Sequence, residues 1–228
     1  GICVLGLTGC NWVGSDGSLV RIDRVAVEDL RYAEGQSLPR YLSRLSDECP
    51  HRPAAVLSEI GRANIQEDFS AAGELPLTKY GDPDTEKGQL RFVWLRSFHA
   101  PMIVRLLQPD ENRWKMNAVR LTGKGGYDPG EVDVRVERDL TQSEVAELES
   151  LLDADALFRP PYVQCTNFVG EDGREYVKII GDGARWMFEA IDEGEYRFAN
   201  HHSPDDGSER ELGLFLLALT GWDIEPVY

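Results

Sequence analysis

Residues 90–121 read LRFVWLRSFHAPMIVRLLQPDENRWKMNAVRL, and the reading of this stretch decides the fold. Residues 90–98 and 101–108 are runs of branched and aromatic side chains, broken by a turn at His99, Ala100 and Pro101. Residues 113–121 form a third such run after a short polar break. A fourth, EVDVRVER (residues 131–138), follows the loop TGKGGYDPG, whose Gly-Gly and Asp-Pro-Gly mark turns. There Val132, Val134 and Val136 alternate with Asp133, Arg135 and Glu137, which predicts a strand with one buried face. The joins are too short for crossover helices, so the four strands are expected to run antiparallel.

Working outward, Thr141 and Glu144 have the spacing of a capping box. They open a helix whose apolar stripe is Val145, Leu148, Leu151 and Leu152. EYVKII, ARWMFEAI and EYRFANH (residues 175–180, 184–191 and 195–201) then read as a three-stranded meander with Gly in both turns. Ser208 and Glu211 suggest a second capping box before ERELGLFLLAL, and Gly221 closes that helix. The order β-β-β-β-α-β-β-β-α predicts an α+β fold, a largely antiparallel sheet packed against helices. No internal repeat of fixed period is visible.

The N-terminal third is less regular. Leu38, Leu42 and Leu45 lie at helical spacing, and residues 53–61 (PAAVLSEIG) read as another short helix with Pro at its start and Gly after it. Residues 70–89 are turn-rich and are expected to wrap a surface. The expected organisation is a signal-peptide remnant at 1–9, a tether at 10–36 and one domain at 37–228. That domain comprises an irregular part at 37–89 and the sheet–helix body at 90–228.

The 228 residues carry 40 acidic and 24 basic side chains, a formal net charge of −16. Phosphate recognition relies on Lys and Arg, so the field of this chain repels nucleic acid and gives no electrostatic attraction to anionic lipid. No stretch reaches the ~20 apolar residues of a membrane span; the run from Leu212 to Leu219 reads as a core helix.

The first residues, GICVLGLTGC, are uncharged, begin without Met and are expected to come from a longer precursor. Leu7-Thr8-Gly9-Cys10 resembles the lipobox of bacterial lipoproteins. That resemblance implies cleavage before Cys10, a lipid on its thiol and a membrane as partner. Asn11 rather than Asp after the Cys implies the outer membrane, with the domain facing the periplasm. Asn11 to Ser18 is rich in Gly and small polar residues, as a tether would be. The alternative is a first strand kept in the core. With export, Cys3 leaves with the signal, and Cys49 and Cys165 remain as a pair suited to a disulfide; two buried thiols are the other possibility.

Candidate chemistry is sparse. Gly123, Lys124, Gly125 and Gly126 lack the spacing of a phosphate-binding loop and precede a strand. His201, His202, Asp205 and Asp206 form the densest group of acid–base side chains, and a hydrolase using them is the rival functional reading. Adjacent side chains at a strand end point to opposite faces, however, so His201 and His202 are not expected to share a metal ion. Ser203 before Pro204 has no nucleophile elbow. No catalytic residue, metal ligand or cofactor is assigned. Trp94, Trp114, Trp186, Phe188, Tyr196 and Phe198 are expected in the core, on a sheet whose concave side could take something apolar.

The phrases FVWLRSFHAP, GGYDPG, DGARWMFEA and YRFANHHSPDDG resemble, in the same order, a family of bacterial proteins without an assigned activity. The resemblance implies no functional residue. Where that family has an aromatic residue before Ser-Pro, this chain has His202. The leading expectation is a lipid-anchored envelope protein acting through binding or as a structural accessory.

Overall fold

The computed structural model describes residues 25–43, 45–46, 54–55, 57, 59–80, 87–125, 127–152, 157–158, 167–177 and 182–228, with the short segments 3–6, 9–13 and 19–21. In chain order, β1 (Cys3–Gly6), β2 (Gly9–Val13) and β3 (Leu19–Arg21) form a small antiparallel sheet. There the Cα of Cys10 is paired with that of Leu5. β4 (Val25–Ala26) is followed by a 3-10 turn at Val27–Asp29 and another at Arg40–Ser43. β5 (Leu45–Ser46) pairs with β6 (Ala54–Ala55), and α1 spans Glu59–Ala72.

The body contains β7 (Gly88–Arg96), β8 (Met102–Asp110), β9 (Arg113–Leu121), β10 (Val132–Asp139) and α2 (Gln142–Leu151). After these come β11 (Asn167–Val169), β12 (Glu175–Val177), β13 (Ala184–Asp192), β14 (Glu195–His202) and α3 (Ser208–Leu219). The fold is α+β. Seven strands in the order β10-β9-β8-β7-β13-β14-β4 make one open antiparallel sheet. No helix among the described residues is long and apolar enough to cross a membrane.

The expected meander is corrected in one respect. β12 pairs with β11 in a separate two-stranded sheet, and the neighbour of β13 is β7. Packing across the β7–β13 seam gives the reason. It sets Phe92 against Phe188, ring centroids 4.7 Å apart, and Trp94 against Trp186 at 5.7 Å. Such aromatic pairs each add about 0.5–1.5 kcal/mol beyond the area they bury.

Every residue of β7 is buried, because the sheet is covered on both faces. Leu90, Phe92, Trp94, Met102, Trp186 and Phe188 belong to one core, with Val145 and Leu148 of α2 and Leu212 and Leu216 of α3. Val93, Leu95, Ile103, Met187, Tyr196 and Phe198 belong to the other, with Leu38, Leu42, Leu57, Ile65, Phe69 and Leu77 from the N-terminal third.

The N-terminal third differs from expectation in detail. Only Arg40–Ser43 is helical around Leu42, Ala54–Ala55 is a strand, and the helix begins at Glu59. Val25 pairs with Tyr196, which adds β4 to the sheet at its β14 edge. The capping box at Thr141 and Glu144 is formed. The second is not: Gly207 is the N-cap of α3, and no side chain caps it. β10 is an edge strand, so Val132 is 42% exposed and Val136 is only half-buried.

Candidate functional site

At the end of the sheet where β7 and β9 begin and β13 ends, a cleft of about 260 Å³ opens on the face that carries α2. Its floor is made by small residues. Gly88 cannot carry a side chain without crowding Trp114, since a Cβ there would lie 3.3 Å from the indole Cη2. Ala190 stands beside Leu90 across the β7–β13 pair. Trp114, Leu152 and Phe158 provide apolar walls. Sequence alternation places Arg197 on the same sheet face as Ala199, and it belongs to the lining. Glu149 and Asp192, both exposed, stand at the mouth. A second depression of about 520 Å³ shares Gly88, Gln89, Gln108, Ile191 and Asp192 with the first.

Arg197 is the unusual member of this set. Its side chain is 10% exposed, its Nε is buried without a hydrogen-bond partner, and among the described residues its ion-pair partner is Glu195, whose Oε2 is 3.9 Å from Nη2. The buried arginines Arg91 and Arg96 have close acceptors, although Arg96 Nε, like Arg197 Nε, has none. Arg91 donates from Nε to Glu189 at 2.7 Å and from Nη1 to the Leu75 carbonyl at 2.7 Å. Arg96 donates to the carbonyls of Ile224 and Pro226 at 3.0 and 3.2 Å.

The residues singled out by sequence lie at the far end of β14, and His201 is about 13 Å from Arg197 of the cleft by strand length. His201 shares the helix-side face with Trp186, and its Nδ1 is 3.7 Å from Glu209 Oε1. Burial pushes its imidazole below the ordinary value, with Glu209 pulling the other way. His202 is paired with Arg185 on the opposite face, and its ring lies against Gly183. Asp205 and Asp206 are exposed in the turn before α3. The structure therefore does not gather His201 and His202 on one face. Ser203 Oγ accepts from the Ala184 backbone N–H at 2.8 Å and closes the strand pair. Among the described residues no group of three His, Cys, Asp or Glu is placed to hold a metal ion. Cys49 and Cys165 lie outside the described residues.

On the other face, Arg91, Glu189, Glu74, Arg105 and Tyr196 form a buried ionic cluster. The Tyr196 hydroxyl donates to Glu189 at 2.7 Å, and Arg91 and Arg105 both reach Glu74. Desolvation pushes the Glu189 carboxyl up, opposed by Arg91. Burial alone would lower Arg91, but Glu189 and Glu74 outweigh it and hold the guanidinium above its ordinary value. With Arg91 and Glu189 fully enclosed, this cluster joins the N-terminal third to the sheet and has no access for a substrate.

The loop TGKGGYDPG is structural in the same sense. A Cβ on Gly125 would lie 2.9 Å from backbone atoms of Arg96 and Leu95, and Gly125 N–H bonds to the His99 carbonyl at 3.1 Å. Comparison with protein-family models, curated proteins and solved structures gives no match. Sequence reasoning missed the cleft. Its signal was an Arg at an inward position of EYRFANH together with two small residues, Gly88 and Ala190, at the same end of neighbouring strands.

Proposed function

We propose that this chain is a lipid-anchored binding protein of the bacterial cell envelope. Cys10 holds it to the outer membrane facing the periplasm, and the cleft between the sheet and α2 is its ligand site. The observation that carries the binding reading is the separation of parts. Among the described residues, the concave, apolar-walled region is lined by no His, Cys or Ser, whereas His201 and His202 stand at the other end of β14 on opposite faces. Apolar walls with few polar groups are the usual make-up of a ligand pocket. The anchoring part rests on Leu7-Thr8-Gly9-Cys10. Two or three acyl chains at ~0.8 kcal/mol per buried CH₂ hold a protein firmly in a bilayer.

A second reading of the N-terminus has its own support. Cys3–Gly6 pairs with Gly9–Val13, as expected of an opening stretch retained as a strand. Cleavage before Cys10 would remove β1 and leave β2 paired with β3 alone. Mass spectrometry of the mature N-terminus separates the two. Acylated Cys10 as the first residue supports the anchor, and Cys10→Ala then leaves the domain soluble. A mature chain that retains residues 1–9 sinks the lipobox. Export also implies that Cys49 and Cys165 resist alkylation until reduced, and free thiols in envelope material would count against it.

A further inference from the structure

We propose that the cleft binds a ligand bearing a single carboxylate on an apolar body, with the carboxylate seated on Arg197. This rests on the cleft being a ligand site and adds the chemical class of what enters it. A guanidinium is permanently charged and presents five N–H donors. Enclosing one with its donors unanswered is unfavourable. Arg197 has a nine-tenths buried side chain, an Nε with no acceptor and one distant, half-exposed carboxylate partner at 3.9 Å. Arg96 Nε is likewise without a partner, but Arg91 and Arg96, buried on the same sheet, each have acceptors at 3.0 Å or closer, whereas among the described residues Arg197 has only the carboxylate at 3.9 Å. The difference is that Arg197 lines a cleft and the other two do not. A carboxylate matches the guanidinium fork with two parallel hydrogen bonds.

The rest of the cleft fixes the remainder of the ligand. Gly88 and Ala190 leave the floor open, and Trp114, Leu152 and Phe158 offer apolar contact. At ~30 Å³ per water-sized unit, about 260 Å³ holds roughly nine non-hydrogen atoms. Glu149 and Asp192 at the mouth repel any second negative charge. A monocarboxylate with a short alkyl chain or one aromatic ring satisfies all three constraints; a dianion does not.

Calorimetric titration of the intact chain with hexanoate, hexan-1-ol and adipate tests this. Hexanoate is expected to bind at least tenfold more tightly than either of the others. Arg197→Gln should remove that advantage while leaving hexan-1-ol unchanged. Removing an unanswered buried charge is not expected to harm the fold, and circular dichroism checks this. Ala190→Leu, which fills the floor, should abolish binding of both. Equal affinity for hexanoate and hexan-1-ol, or hexanoate binding indifferent to Arg197→Gln, overturns the carboxylate inference and leaves an apolar site. Binding that survives Ala190→Leu, or no binding of any probe at millimolar concentration, overturns the cleft reading as well.

Discussion

The six-membered ring of Trp186 occupies the space that a side chain on Gly213 would need. A Cβ built on Gly213 lies 2.3 Å from Cζ3 and 2.5 Å from Cε3 of that indole. Trp186 is fully buried and packs tilted against Phe92 and edge-on to Trp94, so it has nowhere to retreat. Helix propensity favours Ala over Gly by about 1 kcal/mol. Overpacking a close-fitting core costs about 1–3 kcal/mol, and here it acts on a rigid ring. Gly213→Ala is therefore expected to destabilise the protein, read as a lower urea midpoint. A raised midpoint would show that α3 can move off the sheet.

The ionic cluster gives a second expectation. Arg91→Met leaves Glu189 and Glu74 without their shared cation in a buried site, and breaking such a pair costs about 3–5 kcal/mol. Exchanging Arg91 and Glu189 together for Met should cost less than the two single losses combined, because neither of the two is left charged without the other and Glu74 keeps Arg105. Chemical denaturation of the four proteins measures the coupling. Additive losses would mean that the cluster is not acting as a unit.

Asp68 on α1 carries a pH dependence. Its side chain is buried with neither oxygen hydrogen-bonded. Burial raises its pKa from 3.8 to about 7, with Glu67 adding to the rise and Arg185 opposing it. The folded state thus keeps a proton that the unfolded chain has already released, so stability should fall as pH rises from about 4 to about 7 and level off above that. The span corresponds to about 4 kcal/mol at most. Asp68→Asn should flatten this slope and be the more stable protein at pH 8. Urea midpoints across pH 4–8 check it, and identical slopes for both proteins would remove Asp68 from the account.

The histidines at the exit of β14 supply the fourth test. Because His201 and His202 face opposite sides of the sheet, changing both to Asn should leave metal content at background. The change in stability should stay near ~1 kcal/mol. Stoichiometric zinc in the purified protein, lost in that variant, would revive the hydrolase reading.

What could be read from the sequence was whatever local pattern dictates. The runs at 90–98, 101–108 and 113–121 are strands because branched and aromatic residues fill them between turn residues. Thr141 and Glu144 carry their helix start in four residues. α1 was hidden because polar Gln66 and Asp68 are buried alongside Ile65 and Phe69, which blurs the apolar stripe. The partner of β13 was hidden for another reason: turn residues report which strands follow each other, not which strands meet after a long excursion. The cleft depends on that same distant pairing, since its floor is shared between β7 and β13. Arg197 could be assigned to a face from alternation alone. Its lack of an acceptor could not.

The β7–β13 seam also sets a timetable for synthesis. Arg91 and Glu189, which meet across it, are 98 residues apart in the chain. At about 5–20 residues per second, β7 waits roughly 5–20 s for its second neighbour to be made. Throughout that interval β7 to β10 can pair among themselves, but the outer edge of β7, bearing Phe92 and Trp94, stays open to any other extended chain. A nascent or truncated product ending near residue 150 is thus the aggregation-prone form of this protein. Holding that edge apart until β13 arrives is a task suited to a chaperone.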